Sequence, residues 1–79
     1  MYEAIKINGK WCIQALSICF KPIICRGMEY RFKAAAVNAA CDLSGYYHKN
    51  PREKQYYLDY LAAFKARIIK ENYGIMPTV

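Results

Sequence analysis

The dipeptide Asn8-Gly9 constrains the fold of this chain more strongly than any other local feature. It lies between two largely apolar segments, YEAIKI and KWCIQALSICF, and both of its residues tolerate the positive φ angles of a tight hairpin loop. The loop sets the register of the hairpin and therefore its cross-strand pairs: Lys6 with Trp11, Ala4 with Ile13 and Tyr2 with Ala15 on one face, and Ile5 with Cys12 and Glu3 with Gln14 on the other. Neither face is cleanly polar, so we expect both to be partly covered, or one to bind a partner.

A third strand is predicted at residues 28–32. Lys21-Pro22 ends the second strand, because proline has no N–H group to donate to a ladder of hydrogen bonds. The later stretch MEYRF alternates strictly between apolar and charged residues, a pattern typical of a strand with one buried face. The apolar members of this stretch are Met28, Tyr30 and Phe32. Residues 2–32 are therefore predicted to form a three-stranded antiparallel sheet.

An alanine-rich helix is predicted over residues 33–45. Its sequence, KAAAVNAACDLSG, ends in Gly45, which tolerates the left-handed backbone common at a helix C-terminus. The small side chains predict a helix that approaches the sheet or a second helix closely.

The second helix, predicted over residues 51–73, has the clearest boundaries in the chain. Asn50 supplies the N-cap, a proline follows it, and Glu53 is expected to reach back to Asn50 in a capping box. Tyr73-Gly74 marks the end of the helix, before a tail of residues 75–79. A narrow apolar arc of this helix is predicted to face the core: Tyr57, Leu61, Phe64 and Ile68.

The whole chain is thus predicted to be a single compact α+β domain over residues 1–79. A three-stranded antiparallel sheet comes first, and an αα-hairpin follows, whose long C-terminal helix crosses the sheet. The chain has 79 residues, of which 56% are hydrophobic, so there is enough apolar material for one core.

The charge of the chain favours an acidic partner. Twelve Lys and Arg residues against six Asp and Glu residues give a formal net charge of +6, which attracts nucleic acid, a nucleoprotein or an acidic protein face. The alternative is that the charge serves solubility alone. The longest apolar run, WCIQALSICF, is about half of what a bilayer span requires, so we expect a cytoplasmic protein without a membrane partner.

Catalytic, cofactor and metal sites are not predicted. The N-terminus lacks the pattern of a secretory signal, and the cysteines do not have the paired spacing of a zinc site, so we expect reduced, unligated thiols at Cys12, Cys19, Cys25 and Cys41. His48 has no carboxylate or thiol at a useful spacing and is expected to be solvated. No nucleophile or phosphate-loop motif is present in the sequence, which argues against an enzyme.

The segment YYHKNPREKQYY begins the candidate site. Its rings and cations, with those further along the helix, are predicted to form one exposed partner-binding patch: Tyr46, Tyr47, Lys49, Arg52, Tyr56, Tyr60 and Arg67. Stackable rings among cations suit single-stranded bases with phosphates at their side. The same combination suits a protein interface, where Tyr and Arg are enriched. Alternatively, the tyrosines only cover part of a small core.

Three strands and an alanine-rich helix, MEYRFKAAAVNAA after INGKWCIQAL, resemble the sheet-type DNA-binding domains of plant ethylene-response factors and of tyrosine-integrase arm-binding modules. The resemblance covers residues 2–45 and implies a sheet that enters the major groove of DNA. Those families carry reading strands rich in Arg and Trp, whereas the middle strand here, WCIQALSICF, is apolar and uncharged.

A compact basic chain without catalytic residues is also similar in kind to the small accessory proteins of phages and mobile elements. That similarity implies a non-enzymatic protein that binds and inhibits a nucleoprotein complex or a nucleic-acid-handling enzyme, such as a CRISPR effector or a host nuclease. Two alternatives remain open at this point. One is a module that binds DNA or RNA directly, and the other is a small structural or assembly subunit, for which a homodimer is one of the options.

Overall fold

The computed structural model describes residues 1–18 and 20–71. The elements follow one another along the chain as β1 (Tyr2–Ile7), β2 (Lys10–Ala15), β3 (Ile23–Tyr30), α1 (Lys33–Leu43) and α2 (Pro51–Glu71). The three strands form one open antiparallel sheet in the order β1-β2-β3. The predicted α+β fold, with a three-stranded sheet followed by two helices of which the second is long, is confirmed.

The hairpin forms as predicted around Asn8 and Gly9. Their φ angles of 50° and 80° place both residues in the left-handed region that a tight two-residue loop requires. Every predicted pair of the register is present, including Ala4 with Ile13. The N–H of Leu16 donates to the carbonyl of Met1 at 2.7 Å and extends the ladder by one pair beyond the strands.

The third strand differs from its prediction at both ends. It covers Ile23–Tyr30 and not residues 28–32. It begins earlier because the pairing with β2 continues past an irregularity in which residues 25–28 lie opposite Ile13 alone. Phe32 lies outside the strand, as the N-cap residue of α1, and its side chain is 66% exposed. The expectation that Phe32 belongs to the buried face of a strand is wrong, since the chain turns into the helix one residue later.

Helix α1 ends at Leu43, two residues before the predicted limit, and Gly45 stops it as expected. Gly45 has a φ of 94°. The N–H of Gly45 donates to the carbonyl of Asp42 at 3.0 Å, and the N–H of Tyr46 donates to that of Cys41 at 3.1 Å, which together form a Schellman motif.

Helix α1 covers the sheet and contacts all three strands. Its side chains at Ala36 and Ala40 are fully buried, and they form the core with Ile13, Cys41 and Tyr57. Small residues allow this close approach of helix to sheet. The sequence predicts that α2 crosses the sheet. In the structure α1 lies across the sheet, and α2 meets it at β1, where the Tyr57 hydroxyl donates to the Tyr2 carbonyl at 2.7 Å.

The start of α2 is capped by Asn50, although the capping box does not form. The Asn50 side-chain oxygen accepts from the N–H groups of Arg52 at 3.0 Å and of Glu53 at 3.3 Å. The N–H of Asn50 donates to the carbonyl of Tyr47 at 3.0 Å, so it is already used, and Glu53 binds the backbone of Tyr47 instead. The predicted helix end at Tyr73-Gly74 and the predicted tail lie outside the described residues.

The apolar arc of α2 faces inward as predicted. Tyr57 and Ile68 are buried, and Leu61 and Phe64 are half-buried. Leu61 packs against the same core as Tyr57. Within residues 1–18 and 20–71, no helix has the length and apolar character needed to cross a membrane.

Candidate partner-binding surface

The loop between α1 and α2 is held by Asp42. Its carboxylate accepts the backbone N–H of His48 at 3.0 Å and lies 2.7 Å from the Nδ1 atom of the same residue. The expectation of a solvated His48 without a carboxylate is wrong, because the turn at Gly45 brings the loop back to the end of α1. The backbone hydrogen bond from His48 is the main reason that the pKa of Asp42 lies below its ordinary value.

Tyr47 is fixed through its backbone and presents its ring to solvent. Its N–H donates to the Glu53 carboxylate at 3.0 Å, and its carbonyl accepts from Asn50. The ring is 54% exposed and meets the His48 ring edge-on, with centroids 6.0 Å apart. Lys49, the next predicted residue of the loop, is exposed.

Four predicted residues lie along one side of α2, and we call this set the α2 stripe: Arg52, Tyr56, Tyr60 and Arg67. Residues four and seven positions apart share one side of a helix. Tyr56 and Tyr60 are 55% and 54% exposed. The Tyr60 ring stacks on Phe64 at a centroid distance of 6.4 Å, so a ring of the half-buried arc supports a ring of the stripe.

Tyr46 does not belong to this exposed surface. It is half-buried and packs against the core, with its ring centroid 6.1 Å from that of Tyr57. The physical reason is the Schellman motif at Gly45, which returns the residue after the glycine to the last turn of the helix. The prediction that Tyr46 lies in one exposed patch with the other six residues is wrong.

The remaining surface joins three exposed rings to three exposed cations. The cations are Lys49, Arg52 and Arg67. Two nearby carboxylates have partners on the protein: Glu53 accepts the Tyr47 N–H, and Asp59 accepts from the Gln55 side-chain amide at 2.9 Å. Such a surface can stack on planar groups and bind anions, either phosphates or carboxylates.

The described part of the chain contains three free thiols and no candidate metal centre. Cys12, Cys25 and Cys41 are free thiols, and burial raises the pKa of Cys41. Cys19 lies outside the described residues. Within residues 1–18 and 20–71, no cluster of three or more His, Cys, Asp or Glu residues has the geometry to hold a metal ion.

A second surface lies on the other side of α2 and was not predicted. We call it the β1 groove, an open depression of about 440 Å³ between the edge of β1 and the two helices. Its walls include Val37 from α1 and Leu58 and Leu61 from α2. The ammonium groups of Lys6 and Lys33 each lie 5.8 Å from the centroid of the Trp11 ring within it.

The predicted register already placed Lys6 beside Trp11, which is the one signal in the sequence that could have indicated this groove. Lys33 and Leu58 reach it only because α1 and α2 pack on the sheet as they do. Comparisons with known proteins give no further guidance: no family model, curated protein or solved structure matches this chain.

Proposed function

We propose that this chain is a non-enzymatic cytoplasmic binding protein. It docks on an acidic face of a nucleoprotein complex or a nucleic-acid-handling enzyme, through the α2 stripe together with Tyr47 and Lys49. Docking of this kind covers a surface that the target needs for nucleic acid and thereby inhibits the target.

The observation that carries this proposal is the exposure of Tyr47, Tyr56 and Tyr60 on a backbone that is already hydrogen-bonded. Each of these residues is more than half exposed to solvent. Rigid rings on an ordered helix and an ordered loop lose little conformational entropy on binding, and for this reason tyrosine is enriched at interface hot spots.

The charge supports an acidic target. The chain carries a net charge of +6, and the cations of this surface stand beside the rings, where they speed the approach to a negative surface. Cations that steer approach affect the association rate more than the dissociation rate.

A capture experiment tests the class of partner. The tagged chain and a matched bait that carries Tyr56→Ala and Arg67→Glu are incubated with host lysate, with and without nuclease. We expect one protein complex on the unchanged bait after nuclease treatment and its loss from the double variant. Capture that nuclease abolishes contradicts the proposal and favours direct binding of DNA or RNA.

Titrations then measure the contribution of individual residues. Tyr56→Ala and Arg67→Glu are each expected to weaken binding of the captured complex by more than about 1 kcal/mol, the usual hot-spot threshold, and to leave the melting temperature nearly unchanged. The matched control is Lys10→Glu, which changes the net charge by the same amount as Arg67→Glu, since Lys10 is an exposed cation on the hairpin, paired with Glu29 at 3.4 Å. Equal losses for Lys10→Glu and Arg67→Glu would show that only the net charge matters.

Direct binding to nucleic acid has a separate signature. A labelled single-stranded oligonucleotide that neutralises several cations loses affinity steeply as salt increases. We expect only weak binding of this probe, because the three cations of the surface are interspersed with rings and do not form a continuous basic run.

A further inference from the structure

The β1 groove lies beside the outer edge of β1, where only some of the outward-facing backbone groups have hydrogen-bond partners among the described residues. Antiparallel pairing directs alternate residues of an edge strand toward the neighbouring strand and the others outward. The hydrogen bond from Leu16 to Met1 places Met1 in the first group. The outward-facing residues of β1 are therefore Tyr2, Ala4 and Lys6.

Tyr2 has partners for both of its outward groups. Its N–H donates to the Ser44 hydroxyl at 2.9 Å, and its carbonyl accepts from the Tyr57 hydroxyl at 2.7 Å. No residue in 1–18 or 20–71 hydrogen-bonds to the outward backbone groups of Ala4 and Lys6. Both residues line the β1 groove, so this part of the edge is open to an added strand.

The lining of the groove includes apolar side chains from both helices. Leu58 is 39% exposed, and it stands with Leu61 and Val37 along the groove. An extended segment laid against β1 would bring every second side chain to these walls, because successive residues of a strand point to opposite faces.

The charge of the groove is positive. Among the described residues, no carboxylate lies within ion-pair distance of Lys6 or Lys33. The one acidic residue of the lining, Glu3, is bound by the Lys65 ammonium and accepts from the Gln14 amide at 2.9 Å. An incoming carboxylate would thus meet two cations and no competing anion.

We propose that the β1 groove binds an extended acidic segment of a partner protein, which adds to the sheet as a fourth strand beside β1. The backbone of the segment pairs with the outward groups of Ala4 and Lys6. One apolar side chain packs on Leu58 and Leu61, and an acidic side chain two positions away lies between Lys6 and Lys33. This is binding by strand addition, in which the backbone gives affinity and alternate side chains give specificity.

This site is separate from the α2 stripe, and the two are tested independently. The probes are labelled nine-residue peptides in which every second residue is threonine and the residues between are valine and aspartate in turn, so that a valine and an aspartate stand two positions apart on one face. A matched set replaces aspartate with lysine, and a third set carries N-methyl groups on the backbone amides of one strand edge. Binding is followed by fluorescence anisotropy and by amide chemical shifts of the labelled chain.

We expect the acidic peptides to bind, to shift the Ala4 and Lys6 amides and to protect them from hydrogen exchange. The lysine peptides and the peptides N-methylated on the pairing edge are expected to bind at least tenfold more weakly. The double variant Lys6→Glu and Lys33→Glu should show the same loss, while Lys10→Glu should stay within twofold of the unchanged chain.

Several results would overturn the proposal. One is acidic peptides that fail to bind at millimolar concentration, and another is binding that is weakened by N-methylation of neither edge. Shifts confined to Tyr56 and Tyr60 would place the peptide on the α2 stripe. Protection of Ala4 and Lys6 that rises with protein concentration alone would mean that a second copy of the chain occupies the edge. An oligonucleotide that displaces the peptide from Lys6 and Lys33 would assign the groove to phosphate.

Discussion

The two sides of α2 carry surfaces of different kinds. The α2 stripe presents rings and cations from a helix whose backbone is hydrogen-bonded within itself, so only side chains are available to a partner. The β1 groove on the opposite side presents cations and apolar walls next to backbone groups of Ala4 and Lys6 that have no partner among the described residues. Two similarly charged surfaces therefore suit different ligands, a folded acidic face for the stripe and an extended chain for the groove.

The largest expected effect comes from Tyr57, which supports both surfaces. Its side chain is 1% exposed, and its hydroxyl binds the edge of β1. Tyr57→Ala should lower the free energy of unfolding by about 3–5 kcal/mol, the range for truncation of buried aromatic residues. Urea denaturation measures this change.

The companion variant Tyr57→Phe keeps the packing and removes only the hydrogen bond. It should cost about 0.5–1.5 kcal/mol, the net contribution of one hydrogen bond, and it frees the carbonyl of Tyr2 at the edge. Equal losses for Tyr57→Ala and Tyr57→Phe would mean that the hydrogen bond, and not the packing of the ring, holds α2 against β1.

A reciprocal pair of substitutions separates the two surfaces. Leu58→Ala should weaken the acidic peptide about fivefold, which corresponds to about 1 kcal/mol for a partly buried leucine contact, and leave the captured complex unaffected. Tyr60→Ala should weaken the captured complex and leave the acidic peptide unaffected. Both ligands are titrated against both variants, and a variant that weakens both ligands equally would show that the surfaces act as one site.

Two ion pairs that join the hairpin to α2 and to β3 provide a smaller test of stability. The Glu3 side chain is 14% exposed and is bound by Lys65, whereas Lys10 and Glu29 are 68% and 59% exposed. Lys65→Ala should therefore cost about 1 kcal/mol, at the upper end for partly exposed pairs, and Lys10→Ala almost nothing. From the sequence alone, Lys65→Ala is expected to leave the stability almost unchanged, because Lys65 lies outside the apolar arc. Melting curves of the two variants decide between these expectations.

The smallest effect concerns Asp42, which anchors the loop that carries Tyr47. Because the folded-state pKa of Asp42 is lowered, its contribution to stability is present above the ordinary value of 3.8 and is lost as pH falls through the folded-state pKa. Asp42→Asn should therefore reduce the acid-induced loss of stability below that pH. Unfolding curves at neutral and acid pH check this, and an unchanged pH profile would contradict it.

Part of the candidate surface could be predicted because it depends on neighbours along the chain. The Asn8-Gly9 loop, the cap at Asn50 and the spacing of Tyr56 and Tyr60 all follow from interactions over a few residues. Turn geometry and helical periodicity act at that range, so the register of the hairpin and the two faces of α2 were correct.

Tertiary structure decided the features that depend on distant parts of the chain. An irregularity in β3, where residues 25–28 lie opposite Ile13 alone, lets the pairing continue back to Ile23, and the turn at Gly45 carries Tyr46 onto the core. The β1 groove requires Lys33 of α1 and Leu58 of α2 to meet beside the same strand edge. Local propensity specifies the turns and the faces of each element. Only the packing of the small alanines of α1 against the sheet, and of Tyr57 against β1, determines how closely each helix approaches and which backbone groups of the edge stay uncovered.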